Sequence, residues 1–367
     1  ALMIAFVLLR KFILQKQKEI KEKQEKEIYD QIEDKLFSLA PVEFKNYFNN
    51  PKQRQYIYSV LKKLVIENGY DFHGIFDEMG FTKEAILKIE RSADRQALKD
   101  LSVIKSPSSY SYLIQLLQSE DIELSYRAGY AVSYISLEPE QKKEVISYLL
   151  KSEITSERII EIIVTMDPSL NLLLEKLEDL KTETGKIIIL SSMRERVIGN
   201  TGRFKFLKKK LRIQNLAVIE QLKKYLNDSE KVVVTTIDVL SDTRHPEALD
   251  LILETEKERH EPSILAAIAN SLSKFASENR IMNVLYNLAK NDDYWVRLAS
   301  FESLSRMGEP GYKKILELSM DNEYLSKYPS TYYLIYQIIS QIPDMQRILE
   351  SIKSGQEGKY HEVKNVG

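Results

Sequence analysis

Three short stretches, IDVLS at 237–241, ANSLS at 269–273 and FESLS at 301–305, recur at a constant interval of 32 residues. A second set of apolar residues keeps the same interval: Ile252, Val284 and Leu316. Each unit therefore contains two apolar segments, which predicts a pair of helices. A single pair of this length cannot bury its apolar faces, so the pairs must stack on one another. The sequence predicts an all-α solenoid of helix pairs.

Composition supports helices and narrows the possible chemistry. The 367 residues include only 12 Gly and 10 Pro, and they include no Cys. The absence of cysteine excludes disulfides, thiolate metal sites and cysteine nucleophiles. Lys and Arg number 53 against 54 Asp and Glu. Any electrostatic partner must therefore meet a local patch, since the protein as a whole has almost no net charge.

The chain opens with an apolar run at 1–9, followed by Arg10 and Lys11. Nine helical residues rise roughly 14 Å, about half of the ~30 Å hydrocarbon core of a bilayer. A signal peptide carries its basic residues before the apolar run, whereas here they follow it. We interpret residues 1–14 as the end of a transmembrane anchor, which predicts a single-pass membrane protein with its bulk in the cytoplasm. The alternative is an amphipathic or buried first helix of a soluble protein.

Charge and apolar patterning divide the rest of the chain. Residues 15–40 begin with a run of Lys, Glu and Gln and predict a solvated helical stalk, whose apolar residues resume at Ile28. The anchor and this stalk together predict one long N-terminal helix. Residues 41–91 predict a helical lead-in, residues 92–342 the repeat solenoid, and residues 343–367 a C-terminal cap and flexible tail.

The segment Asp292-Asp293-Tyr294-Trp295-Val296-Arg297-Leu298-Ala299, which continues to Leu304 and Gly308, resembles the second helix of a HEAT repeat. Residues 119–135 are a looser match. The likeness covers about residues 82–342, and its short period resembles the compact bacterial variety, for example a membrane-anchored bacterial HEAT-repeat protein. It implies that the acidic residue caps the helix, that Arg297 reaches neighbouring units, and that small residues let helices approach closely. The pattern is incomplete, because Val233 and Leu265 occupy the position of Arg297.

Counting backwards along the chain places the starts of the second helices near Ala93, Asp121, Glu153, Lys181, Asp228, Glu261, Asp292 and Ser326. The 47 residues between Lys181 and Asp228 leave roughly 15 extra, which predicts an insertion at about 198–213.

This insertion is strongly basic and carries interleaved aromatic residues. It would suit a partner protein or an anionic membrane surface, or less readily the phosphate backbone of a nucleic acid. The alternative is an ordinary solvated loop. The candidate contact residues are Arg203, Phe204, Lys205, Phe206, Lys208, Lys209, Lys210 and Arg212.

Tyrosines form two further groups at helical spacing. Because tyrosine combines an apolar ring with a polar tip, it is favoured at interfaces. Aromatic stripes of this kind also arise from packing between helices. The candidate contact surface comprises Tyr126, Tyr130, Tyr134, Tyr328, Tyr332 and Tyr336.

Signals for catalysis are weak. The four histidines lie far apart, and no glycine-rich phosphate loop or paired zinc motif occurs. The sequence therefore predicts no enzyme activity, no cofactor and no metal. The function predicted is a membrane-anchored cytoplasmic scaffold for a partner protein. The resemblance to bacterial HEAT-repeat proteins implies a membrane enzyme of surface-polysaccharide synthesis as one such partner. The HEAT resemblance also implies an alternative, a nucleic-acid-binding protein or DNA-modifying enzyme that uses Trp295, Asp292 or the basic insertion. Trp295 itself is expected to be a packing residue near a helix start.

Overall fold

The computed structural model describes residues 34–198, 216–275 and 278–340, together with residues 26–32 and isolated positions between 12 and 23. These residues form helices, turns and loops and contain no β-strand. The all-α prediction is therefore confirmed for the part described. The chain divides into two compact units, residues 1–168 and 169–367.

Unit 1 begins with helical residues whose burial follows the sequence pattern. Gln15, Lys16, Glu19 and Ile20 are exposed, whereas Ile28, Ile32 and Leu36 are buried. The polar residues at 15, 16 and 19 therefore have no packing partner within the described residues. The apolar residues at 28, 32 and 36 are packed against other parts of unit 1. The helices that follow are α1 (Pro41–Tyr47), α2 (Arg54–Asn68), α3 (His73–Glu78), α4 (Phe81–Ser92), α5 (Arg95–Ile104), α6 (Tyr110–Leu117), α7 (Ile122–Val132), α8 (Pro139–Leu149) and α9 (Ser156–Met166).

The second helices of unit 1 are α5, α7 and α9, and each packs against the next. Carboxylates cap two of them: Asp94 accepts from the backbone N–H of Gln96 at 2.8 Å, and Asp121 accepts from that of Glu123 at 2.9 Å. Small residues permit the close approach of α7 to its neighbours. A Cβ on Gly129 would lie 2.9 Å from Ile162 Cδ1.

Unit 2 repeats the same arrangement with a more regular spacing. Its second helices α11, α13, α15, α17 and α20 pack in series. Fully buried small residues, such as Thr236, Ala269 and Ser300, lie where these helices meet. The helices are α10 (Leu170–Asp179), α11 (Glu183–Ile198), α12 (Leu216–Lys223), α13 (Glu230–Thr243), α14 (Pro246–Glu258), α15 (Pro262–Leu272), α16 (Asn279–Leu288), α17 (Tyr294–Arg306), α18 (Glu309–Ser319), α19 (Asn322–Lys327) and α20 (Thr331–Ser340).

Most second helices begin within three residues of the positions predicted from the sequence. The exception is α20, predicted near Ser326 but observed from Thr331, because the short helix α19 precedes it. The predicted cap at Asp292 is wrong by one residue, since Asp293 accepts from the backbone N–H groups of Trp295 and Val296. The predicted domain boundaries, including 41–91 and 92–342, stay predictions.

The membrane prediction requires a correction. Within the described residues, no helix combines the length and the apolar character needed to cross a bilayer. The predicted single-pass membrane localisation is therefore wrong as far as the structure tests it. Apart from Phe12, the anchor predicted at 1–14 lies outside the described residues. So do the core of the basic insertion, including Arg203 to Arg212, and the tail at 343–367.

Candidate binding face of the second helices

The exposed side of the second helices in unit 2 is ordered by the 32-residue repeat. Positions 32 residues apart lie at equivalent places on the neighbouring helices α13, α15 and α17, or, for Lys274, in the turn directly after α15. One stripe is aliphatic, a second is polar, and a third is charged. The aliphatic stripe consists of Val234, Ala266 and Leu298. The polar stripe consists of Asp238, Asn270 and Glu302, and the charged stripe of Asp242, Lys274 and Arg306.

The aliphatic stripe forms the floor of this face. Val234, Ala266 and Leu298 are half-buried, so each offers part of its apolar surface to solvent. Ala267 is half-buried beside Ala266 on the middle helix. Because alanine side chains are the shortest of this set, the middle helix α15 leaves room for a side chain of a bound molecule.

Trp295 borders this floor at the start of α17. Its side chain is 66% exposed and meets the ring of Tyr294 edge-on, at 5.4 Å between centroids. Trp295 lies at a helix start as expected, but its exposure contradicts the expectation that it is a packing residue. An exposed tryptophan offers a large rigid apolar surface, and this type of residue often dominates protein–protein interfaces.

Asn270 is the central residue of the polar stripe. Its side chain is exposed, and it makes no hydrogen bond with any residue that the structure describes. The amide therefore retains two donors and an acceptor for a ligand. Its neighbours in the stripe are occupied: Asp238 accepts from Arg194, and Glu302 accepts from Arg306. The sequence contains this signal as the second residue of IDVLS, ANSLS and FESLS, whereas the prediction of the fold depends only on their apolar residues.

A partly buried ionic network lies at one end of the face. Arg194 Nε lies 2.8 Å from Asp242 Oδ2, and Arg194 Nη1 lies 2.8 Å from Asp238 Oδ2. Lys274 Nζ contacts Asp242 Oδ1 at 2.6 Å and Ser241 Oγ at 2.9 Å. Burial raises the pKa of Asp238 despite the opposing charges of Arg194 and Lys274. These contacts join α11, α13 and α15, so they hold three second helices in register.

In unit 1, Tyr126, Tyr130 and Tyr134 form a half-buried stripe along α7 and the turn that follows it. Tyr126 donates to Glu161 Oε2 at 3.2 Å, and the guanidinium of Arg158 stacks over its ring at 4.3 Å. The hydroxyls of Tyr130 and Tyr134 lie 2.8 Å apart. Burial is the main reason why the pKa of Tyr126 and that of Tyr134 are raised. The stripe combines packing with an accessible edge, so its role as a contact surface stays a prediction.

The other three tyrosines of the predicted contact surface differ in how far they are buried. Tyr332 and Tyr336 on α20 are exposed and remain available for contact. Tyr328 departs from the prediction because it is buried, with its hydroxyl 2.9 Å from the carbonyl oxygen of Lys290 and 2.7 Å from Asp292 Oδ1. These bonds give Tyr328 a role in packing.

The side chains that could bind a metal ion do not converge on one place in the described part of the chain. No cluster of His, Asp and Glu there could hold a metal ion. The histidine contacts described are local, such as His73 Nδ1 with Asp71 Oδ1 at 2.8 Å. This geometry identifies no catalytic group.

Comparisons with known proteins match the helical array. No family model and no curated protein matches the chain. Among solved structures, human deoxyhypusine hydroxylase in complex with glycerol is 16% identical, with 78% of this chain and 97% of that chain covered and a TM-score of 0.29. A designed armadillo repeat protein in complex with the peptide (KR)4 is 17% identical, with 82% and 93% covered and a TM-score of 0.21. An engineered protein is 16% identical, with 77% and 97% covered and a TM-score of 0.23.

One of these neighbours corrects a prediction. The sequence predicted that the chain is not an enzyme, on the ground of its solenoid fold and its lack of catalytic motifs. Deoxyhypusine hydroxylase bears the name of an enzyme and is among the similar structures. The prediction is therefore withdrawn, because a helical array of this kind does not exclude catalysis. At this identity and TM-score the likeness assigns no activity to the chain.

Proposed function

We propose that the chain is a HEAT-type repeat protein that binds an extended segment of a partner protein across the second helices of unit 2. The observation that carries this proposal is the pairing of an exposed tryptophan, Trp295, with an unpartnered amide, Asn270, on one continuous face. A partner side chain packs on Trp295 and Leu298, and the partner backbone binds the amide of Asn270.

The dimensions of the face favour an extended chain. Packed helices lie about 8–10 Å apart, and an extended polypeptide advances roughly 3.3 Å per residue. A segment that crosses α13, α15 and α17 therefore meets a new helix about every three residues. A backbone amide or carbonyl is then always within reach of the polar stripe, so Asn270 can bind many sequences while Trp295 selects an apolar residue.

The charges of the face favour protein over nucleic acid. Two members of the polar stripe are carboxylates, Asp238 and Glu302, and Asp242 follows in the charged stripe. The neighbouring cations Arg194, Lys274 and Arg306 are each paired with one of these carboxylates. The stripes therefore offer a phosphate backbone no uncompensated basic residue, and affinity for nucleic acid depends on such residues. The more specific expectation of a surface-polysaccharide enzyme as partner stays a prediction and takes no part in this proposal.

The single tryptophan of the chain provides a direct test. Peptides of about 12 residues, which extend over roughly 40 Å, are selected by display on the full-length protein. Binding is then followed by the emission of Trp295, which we expect to shift to shorter wavelength as its ring leaves water. Asn270→Ala should weaken binding about tenfold, because a bound backbone would lose its hydrogen bonds.

Two control variants test whether peptide binding depends on this face and not on other exposed surfaces of the molecule. Asn283→Ala removes an exposed amide from the first helix α16, and Ile66→Ala removes exposed apolar surface from α2 in unit 1. Both should leave peptide affinity unchanged. The proposal is wrong if no peptide is selected, or if the selected peptides bind equally to Asn270→Ala and leave the Trp295 emission unaltered.

A further inference from the structure

A separate pocket of about 260 Å³ lies in unit 1 between the second helices α5 and α7. Leu98, Lys99 and Ser102 line it from α5, and Tyr126, Arg127 and Tyr130 line it from α7. Its walls are therefore two phenol rings and a leucine, with cationic groups at the rim. This volume is below the ~300–1,000 Å³ of pockets for drug-sized ligands. The pocket fits one side chain or one small acid.

The cations of this pocket are incompletely neutralised. Lys99 is exposed and makes no ion pair or side-chain hydrogen bond with any residue described in the structure. Arg127 shares Glu123 with Arg158, at 2.7 Å and 3.1 Å respectively. The other carboxylate, Glu161, accepts from Tyr126.

The charge balance then limits the ligand. Of the two cations that line the pocket, Arg127 is paired with Glu123, whereas Lys99 has no carboxylate partner among the described residues. One uncompensated positive charge therefore remains in the lining. A single carboxylate matches that charge, whereas a phosphate dianion would exceed it. The rings of Tyr126 and Tyr130 suit a short apolar or aromatic body next to the carboxylate.

We propose that this pocket binds a monocarboxylate on a short apolar body, with the ammonium of Lys99 as its ion-pair partner. The carboxylate comes either from an acidic side chain of a polypeptide or from a free small acid. Ser102 contributes acceptor lone pairs only, because its hydroxyl donates to the carbonyl oxygen of Lys99 at 2.7 Å. This site is independent of the face in unit 2, and either proposal can fail without the other.

The test uses the full-length protein and two acids, 3-phenylpropionate and the peptide acetyl-Gly-Glu-Gly-amide. Their neutral counterparts are 3-phenylpropionamide and acetyl-Gly-Gln-Gly-amide. Binding is measured by ligand-observed NMR and isothermal titration. At least one acid should bind saturably and its amide should not. Lys99→Gln should raise the dissociation constant about tenfold, in line with the loss of a charge-assisted hydrogen bond.

Two further variants test whether binding depends on this pocket and not on the general surface charge or on a loss of folding. Lys88→Gln removes an exposed lysine from the first helix α4 and should leave the affinity unchanged. Ser102→Leu fills the pocket without removing charge and should abolish binding. Binding of only one acid supports the proposal and identifies the source of the carboxylate. The proposal is overturned by absence of binding for both acids, by equal affinity in Lys99→Gln, or by tighter binding of inorganic phosphate.

Discussion

Arg297 Nε donates a hydrogen bond of 3.0 Å to Thr331 Oγ1, and so joins helix α17 to the next second helix, α20. The same guanidinium donates through Nη1 to the carbonyl oxygens of Asn291 and Asp292, both at 2.8 Å. Its planar face lies 4.4 Å from the ring centroid of Tyr328. The implication drawn from the HEAT resemblance, that Arg297 reaches a neighbouring unit, agrees with these contacts. One buried side chain thus links a helix start, a loop and the following helix.

Replacement of this side chain tests its contribution to stability. Arg297→Lys should lower the free energy of unfolding by about 2 kcal/mol, because an ammonium cannot reproduce the fork of donors or stack on an aromatic ring. Chemical denaturation monitored by circular dichroism measures the change. The exposed Arg306, paired with Glu302 at 3.2 Å, provides the control. Arg306→Lys should alter stability by less than about 0.5 kcal/mol, and an equal loss in both variants would contradict this explanation.

The repeat that carries Val233 in place of this arginine uses another residue for part of the same role. Val233 occupies the equivalent position and is fully buried. Arg259, from the loop before α15, donates through Nη1 to the carbonyl oxygens of Leu226 and Asp228, at 3.2 and 3.3 Å. Glu261 orients Arg259 through contacts of 3.0 and 2.7 Å. The gap in the arginine pattern at Val233 is therefore filled from the following repeat.

Gly311 forms the closest approach between α17 and α18. A Cβ at this position would lie 1.8 Å from the carbonyl oxygen of Leu304, which is backbone and cannot rotate away. Gly311→Ala should therefore destabilise the protein by about 3 kcal/mol, even though alanine has the higher helix propensity. Thermal unfolding measures the effect.

The matched control is Gly74→Ala in α3, where the nearest atom is Pro41 Cγ at 3.3 Å. A small adjustment of the proline ring accommodates this contact, so the expected change is below about 1 kcal/mol. Similar stability of the two variants would show that α18 can shift away from Leu304 at little cost.

The features that could be predicted from the sequence are those that depend on the spacing of apolar residues within one helix. The burial of Ile28 and the spacing of Leu240 and Leu272 follow from apolar periodicity, because each helix must bury one face. The approach of Gly311 to Leu304 and the reach of Arg259 to Leu226 depend on how two helices meet, which periodicity does not specify. The face in unit 2 was partly visible in the repeated letters, but the exposure of Trp295 required the coordinates.

Asp242 should be the most sensitive member of the ionic network in unit 2. It contacts both Arg194 and Lys274, and its side chain is only 11% exposed. Asp242→Asn leaves two partly buried cations with a weaker partner and should cost about 2 kcal/mol of unfolding free energy. Asp238→Asn should cost less at neutral pH, because burial raises the pKa of Asp238 and so already opposes its ionisation. Urea denaturation measures the stability of both variants. A lower stability of Asp238→Asn than of Asp242→Asn would contradict this ranking.

Glu123 should make the stability of the protein depend on pH in the acidic range. Burial alone would raise its pKa, but hydrogen bonds and charges from Arg127 and Arg158 outweigh it and hold the pKa below the ordinary 4.5. The folded state therefore binds fewer protons than the unfolded state near that pH. The resulting stabilisation is fully present above the unfolded pKa, and it is lost as the pH falls through the folded pKa.

Glu123→Gln isolates this contribution. At pH 7 the variant should be less stable by about 1 kcal/mol, the upper range for ion pairs that solvent partly screens. As the pH falls below 4.5 and through the lower pKa of folded Glu123, the two proteins should converge, because protonated Glu123 no longer attracts either arginine. Urea denaturation at a series of pH values measures the difference, with the exposed Glu157 changed to Gln as the control. A difference between wild type and Glu123→Gln that stays constant from pH 7 to pH 3 would show that the arginines do not stabilise the ionised carboxylate.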